Sequence, residues 1–182
     1  VTIRTLAGPL HVFAQHAPPG TPKLAKKRAQ HYTLLGDVLG ALPEGALKAA
    51  FGDSNVRWHA RLPGEEGVLG RYVYGLGPDH LETRSEDSRH NRDLAWDMMV
   101  RHGLVQSSSF FRKPWKEQPT YHDLTCDRNG PVTRHTHAEL DQWWPTARLQ
   151  RYTNTVEVLG DFPWHSHHYL LKVTLAIAVQ QC

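Results

Sequence analysis

Four short clusters in this chain group side chains that exchange protons, orient water or bind ions. They are Gln15-His16-Ala17-Pro18, Gly52-Asp53-Ser54-Asn55, Glu139-Leu140-Asp141 and Ser166-His167-His168. Each falls where a stretch with strand character ends. In open α/β architectures ligands gather at strand ends, because side chains on the loops converge there while the sheet holds them rigid. The placement therefore predicts that the four clusters share one mouth.

The elements that must position them can be read from hydrophobic periodicity. Residues 10–16 alternate Leu10, Val12 and Ala14 against His11, Phe13 and Gln15, the pattern of a strand partly buried on both faces. Pro18 and Pro19 end it, since proline cannot continue the ladder. A helix follows, with Thr21 as N-cap, Pro22 at its first position and a stripe of Leu24, Arg28, Tyr32, Leu35, Val38, Leu39 and Leu42. Lys23, Lys26, Lys27 and Gln30 make its solvated face. Residues 46–51 read as a buried strand bounded by Gly52. Residues 61–92, rich in glycine, proline and charge, read as a long surface loop. Asn91 then caps a second helix whose Leu94, Ala95, Met98 and Met99 face the core until Gly103 stops it. Further strands are expected over 104–111, 119–122, 138–144, 155–159 and 169–179. The order implies a sheet-rich α/β domain over residues 1–182, with no internal repeat and no polar linker to divide it.

Composition agrees with a folded chain. Of 182 residues 40% are hydrophobic and 21% charged, and no apolar run approaches the ~20 residues that span a bilayer. The formal charge, 21 − 18 = +3, is too small to name nucleic acid as a partner. Cys126 and Cys182 lie too far apart for a disulfide framework, which implies an intracellular, reducing or redox-indifferent compartment. Val1 opens the sequence with no basic-then-apolar leader behind it. Ser107-Ser-Ser109 lacks a Gly-x-Ser-x-Gly elbow, and the glycines of 70–77 match neither phosphate-cradling spacing. His135-x-His137 and His165-x-His167 have spacings open to Zn²⁺, but thirteen histidines make chance pairs common and no cysteine pair accompanies them. Most of the six tryptophans belong in the core, with one ring of Trp143-Trp144-Pro145 offered to a partner surface.

Taken in order, Ala14-Gln-His-Ala-Pro18, Gly52-Asp-Ser-Asn55, the glycine-rich 67–77, His102-Gly-Leu104, Thr120-Tyr121, Leu140-Asp-Gln142 and Ser166-His-His168 resemble the endonuclease/exonuclease/phosphatase superfamily. In particular they resemble the apurinic-endonuclease-like domain of non-LTR retrotransposons and their domesticated relatives, over its C-terminal two-thirds only. The resemblance implies a four-layer αββα sandwich of two mixed sheets that cleaves phosphodiesters with Mg²⁺ or Mn²⁺. It casts Asp53 as the carboxylate that activates or positions water and Asn55 as the amide that holds the water or the phosphate. His168 becomes the imidazole that stabilises charge on the phosphoryl oxygens, with Asp141 orienting it. His16 stands where the family has a phosphate-contacting tyrosine, and His167 replaces an aspartate that helps to hold the metal. The family's N-terminal strands, with an asparagine and a metal-binding glutamate, have no counterpart before Leu10. Two expectations follow. One is a degenerate, non-catalytic structural subunit of a larger assembly, with other protein chains covering the missing strands; His167 and the lost glutamate favour it. The other is an active Mg²⁺-dependent DNA endonuclease of retrotransposon origin, favoured by the retained Asp53, Asn55, Asp141 and His168.

Overall fold

The computed structural model describes residues 1–82, 86–123, 125, 130–160 and 166–179, with the side chains of 86–89 left aside. Cys126, Trp164, His165 and Cys182, on which some of the expectations above fall, lie outside the described residues.

The expected α/β character holds. Strand β1 (Thr2–Thr5) turns into β2 (Gly8–His16), helix α1 (Ala25–Gly40) follows, and β3 (Leu47–Asp53) returns beside β2. After a long loop come α2 (Pro78–Glu82) and α3 (Glu86–His102), then β4 (Tyr121–His122), β5 (His137–Ala138), β6 (Asp141–Pro145), α4 (Ala147–Gln150), β7 (Thr153–Leu159) and β8 (Leu170–Leu175). The main sheet is mixed, in the order β1-β2-β3-β6, with β2 and β3 parallel and the other two pairs antiparallel. β4 pairs with β5 and β7 with β8.

Both faces of the main sheet are covered, which is why its strands lack a clean polar side. On one face Ala50 and Trp144 pack with Tyr32, Leu35 and Leu39 of α1 and with Ala95, Met98 and Met99 of α3. On the other, Leu10, Leu47, Ala49 and Trp143 pack with Leu149, Val156 and Leu171. Trp143 and Trp144, one of which was expected on a partner surface, are both buried, because successive residues of β6 point to opposite faces. Gln142, just before them in β6, is a buried hub. Its Oε1 accepts from the indoles of Trp58 and Trp144 at 2.9 and 2.8 Å, and its Nε2 donates to the carbonyls of Val56 and Glu139 at 3.0 and 2.7 Å.

Several local expectations need correction. Residues 2–5 add a strand ahead of Leu10, and its outer side meets the chain's tail through a Thr5–Val179 bridge. Thr21 precedes a 3₁₀ turn (Pro22–Leu24) and makes no side-chain cap. Arg28, read as part of an apolar stripe, is fully buried and donates to the carbonyls of Pro19 and Thr21 at 3.1 and 2.6 Å, pinning the loop after β2. Residues 104–111 make isolated bridges and a 3₁₀ turn (Ser107–Phe110) rather than a strand. The 138–144 run divides at Glu139-Leu140, where the chain passes from one sheet to another.

Gly52 shows how tightly the site-bearing strand is held. It pairs with Gln15, has φ of +125°, and a Cβ there would stand 2.3 Å from the Gln15 carbonyl oxygen. Gly67 is exposed and has open space around it. Gly52→Ala should therefore destabilise the protein by about 1–3 kcal/mol in urea unfolding, while Gly67→Ala should shift the midpoint little.

Candidate functional site

The register of β3 against β6 decides the geometry. Asp53, last in β3, is paired with Asp141, first in β6. The chain leaving β3 is tied to the chain entering β6, since Ser54 donates to the Leu140 carbonyl from both its N–H and its hydroxyl, each at 2.9 Å. Tyr32 of α1 donates to the Ser54 carbonyl at 2.9 Å, and Thr120 Oγ1 accepts from the N–H groups of Leu140 and Asp141 at 2.9 and 2.8 Å.

Asn55 sits at φ +50°, the left-handed region that asparagine tolerates better than most residues. There its backbone N–H donates to Asp53 Oδ1 at 2.9 Å. Its Nδ2 donates to Asp53 Oδ2 at 3.1 Å and to the Ala17 carbonyl at 2.6 Å. Both amide hydrogens are thus committed, so Asn55 acts on the shape of the turn rather than reaching out to a ligand with its NH₂.

His168 enters from the opposite side, held by a bridge to Tyr121 and by its N–H on Ser166 Oγ at 3.0 Å. Its Nδ1–H donates to Asp141 Oδ2 at 2.7 Å, and its ring packs edge-on against Tyr121 at 5.0 Å between centroids. That hydrogen bond holds the imidazole above its ordinary pKa against the opposing effect of burial, and the charges of Asp141 and Asp53 add to the rise. Burial pushes the Asp53 carboxyl up, the Asn55 N–H opposes this, and the like charge of Asp141 reinforces it. Asp53, Asn55, Asp141 and His168 therefore form one hydrogen-bonded and electrostatic group. His16 stands at its rim, largely exposed, with Nε2 3.6 Å from Asp53 Oδ2.

His167 is placed differently. Its ring packs on His122 at 4.8 Å between centroids, and its carbonyl accepts the His122 N–H at 2.9 Å. Glu139, from the same cluster as Asp141, is buried and accepts the Ser108 hydroxyl; burial raises its carboxyl to about 7. It lines a second, smaller pocket with Tyr74 and His137.

A cleft of about 250 Å³ opens beside the group, lined by its Asn55 and His168 together with Gly20, Arg57, Asn91, Tyr121 and Leu140. Arg57 and Asn91 were not singled out as site residues in the sequence. Arg57 lies two residues beyond Gly-Asp-x-Asn, a signal that was available. Asn91 was read as a helix cap, whereas α3 begins at Glu86 and places it inside the helix.

The family resemblance implies a divalent metal. A hard cation wants several anionic oxygens. Asp53 and Asp141 supply two carboxylates, already engaged by Asn55 and His168. Among the described residues no three His, Cys, Asp or Glu side chains are arranged to hold a metal ion. The described donors do not fit such a centre, and His167 does not complete one.

The fold is shared with AP endonuclease and 3′ phosphatase structures. The Xenopus laevis APE2 catalytic domain superposes with a TM-score of 0.61 at 14% identity, covering 98% of this chain and 54% of its own. An AP endonuclease from Archaeoglobus fulgidus gives 0.58 at 16%, covering 90% and 60%. The 3′ phosphatase NExo from Neisseria, bound to product DNA hairpin, gives 0.59 at 14%, covering 96% and 63%. The chain thus spans between half and two thirds of the length of these structures. No family model matches it, and no curated protein does. At the level of the fold the resemblance read from the sequence holds: this chain shares its fold with these AP endonuclease and 3′ phosphatase structures.

The raised His168 pKa carries a linkage prediction. A group whose folded pKa lies above its unfolded value, about 6.5 for histidine, stabilises the fold fully below that value and loses the contribution as pH rises through the folded pKa. The unfolding midpoint of wild type should exceed that of His168→Gln most at pH 5–6, and the gap should close at alkaline pH. A gap independent of pH would contradict the assignment of the Nδ1–carboxylate bond.

Proposed function

We propose that this chain is a nucleic-acid-directed domain carrying the water-positioning and phosphoryl-stabilising half of a phosphodiesterase site. The observation that supports it most is the 2.7 Å Asp141–His168 bond beside the Asp53–Asn55 turn, with His168 and Asn55 both lining one cleft. In this reading a strand phosphate lies in the cleft. Protonated His168, with Nδ1 held by Asp141, presents Nε2–H to a non-bridging oxygen, where negative charge builds as water attacks phosphorus. Asp53, a carboxylate held above its ordinary pKa, accepts a proton from that water as the phosphorus–oxygen ester bond to the departing strand end breaks, and the released oxygen takes a proton from solvent. Asn55 fixes the carboxylate, and the exposed His16 adds a donor at the rim. Mg²⁺ or Mn²⁺ has no fitting donor set among the described residues, so no step is routed through it. The shared main sheet, with an apolar cluster on each face, supports reading residues 1–182 as one partial domain of the four-layer type. A retrotransposon origin belongs to the same proposal, and a reverse-transcriptase frame adjoining the coding sequence would support it.

A second reading, a non-catalytic structural subunit whose sheets are completed by other chains, is favoured by His167, which stands in place of an aspartate and packs on His122.

The two separate in one experiment. A labelled duplex carrying an abasic site is titrated with wild type, His168→Ala and Asp53→Ala, following anisotropy and, with Mg²⁺ or Mn²⁺ present, strand scission. The proposal expects binding that His168→Ala weakens roughly tenfold or more, the scale of a hydrogen bond to a charged group, and that Asp53→Ala preserves. Scission lost in Asp53→Ala would support full catalytic competence. Affinity unchanged in His168→Ala, without scission, would overturn the proposal in favour of the structural subunit.

A further inference from the structure

Asn91 is an anomaly by the standards of its helix. Asparagine is a poor residue for a helix interior, because its side chain competes for backbone hydrogen bonds. Yet Asn91 lies inside α3, only 2% exposed, on the face that also carries Ala95, Met98 and Met99. Its Nδ2 donates to the carbonyl oxygen of Asn55, 36 residues earlier. The amide orientation is fixed by chemistry, since only the NH₂ end can meet a carbonyl.

Its position is fixed as firmly. The next residue, Arg92, is buried and meets both carboxylate oxygens of Glu65 at 2.7 Å, with its guanidinium 5.5 Å from the Trp58 ring centroid. Both bonds come from the one Nη2 nitrogen, a charge-assisted contact that is stronger than a neutral hydrogen bond. The first turns of α3 are therefore locked to the loop that follows the Gly-Asp-x-Asn turn.

The bond to Asn55 falls on a peptide that needs holding. Asn55 is one of two non-glycine residues with positive φ among those described, a conformation that persists only where the surroundings over-determine it. Its N–H and Nδ2 are held by Asp53 and Ala17, and its carbonyl is held by Asn91. We propose that Asn91 is a positioning residue, which acts through the Asn55 carbonyl to hold the left-handed turn whose N–H and Nδ2 orient the Asp53 carboxylate beside the cleft. Asn91 Oδ1 is buried, has no hydrogen-bond partner and belongs to a residue lining the cleft. It is an acceptor for a donor-bearing group such as water; phosphate oxygens, which only accept, do not satisfy it.

This deepens the phosphodiester reading and rests on it for its purpose, so the test uses a readout that does not need nucleic acid. Asn91→Leu keeps the volume and removes the donor; Asn91→Ser keeps a shorter polar group and serves if Leu prevents folding. The carbon-13 titration of the Asp53 carboxyl is followed in wild type and variants, with thermal unfolding and duplex binding alongside. Loosening the turn weakens the Asn55 N–H bond that pulls the Asp53 pKa down, so the expected result is an upward shift of the Asp53 titration in a folded variant. A lower melting temperature with the Asp53 titration unchanged would show a packing residue and overturn the proposal. Loss of duplex binding by wild type itself would count against the phosphodiester reading while leaving the titration to decide the role of Asn91.

Discussion

Two carboxylates face each other across a pair of antiparallel strands, and the rest of the site follows from that constraint. Like charges directly opposite in a sheet are destabilising, so the Asp53–Asp141 pairing persists only with compensation at hand. The compensation is divided. Asn55 gives Asp53 two hydrogen bonds from within its own turn, and His168 gives Asp141 a charge-assisted one from the other side of the mouth. Each carboxylate thereby acquires a partner that also orients it. A pair left short of positive charge is a natural seat for chemistry on anionic substrates, where a protonated imidazole meets the charge that develops in the transition state.

The fold is arranged to keep that register. A one-residue slip in a strand turns every side chain to the wrong face, and β6 cannot slip without exposing Trp143 or Trp144 to the wrong cluster. Gln142, satisfied at both ends of its amide, holds the loop after Asn55 to β6 through Trp58 and Val56. Ser54 and Thr120 do the same for the backbone of Leu140 and the Asp141 N–H. Gly52 lets β3 approach β2 closely enough to bring Asp53 level with His16. Apolar packing sets the layers, and a few buried polar bonds set the alignment within them.

Much of this was legible in the sequence. β2, β3, α1, α3 and the strand character of β7 and β8 follow from periodicity, though their pairing does not, and the clusters around Asp53, Asp141 and His168 do meet. What was hidden is what tertiary contacts override. Asn91 looks like a cap because asparagine favours caps, but the helix extends five residues earlier and turns the side chain inward. Residues 104–111 have strand composition but too few partners to form a ladder. Arg28 fits an apolar stripe by spacing, and only the loop carbonyls beside it explain why a charge can be buried there. His167 and His168 are neighbours in sequence, and adjacent side chains in extended chain diverge. One joins the carboxylates and the other packs on His122, a division that sequence order alone leaves open.

The central claim is that the mouth formed by the Asp53–Asp141 register is where a phosphodiester binds. The most direct test is a nitrogen-15 spectrum of the imidazoles and side-chain amides, recorded while a short unlabelled oligonucleotide is added. The account predicts that the His168 ring and the Asn55 and Asn91 amides shift together, with the same saturation curve. Shifts confined to β7 and β8, or none at these residues at saturating oligonucleotide, would contradict it.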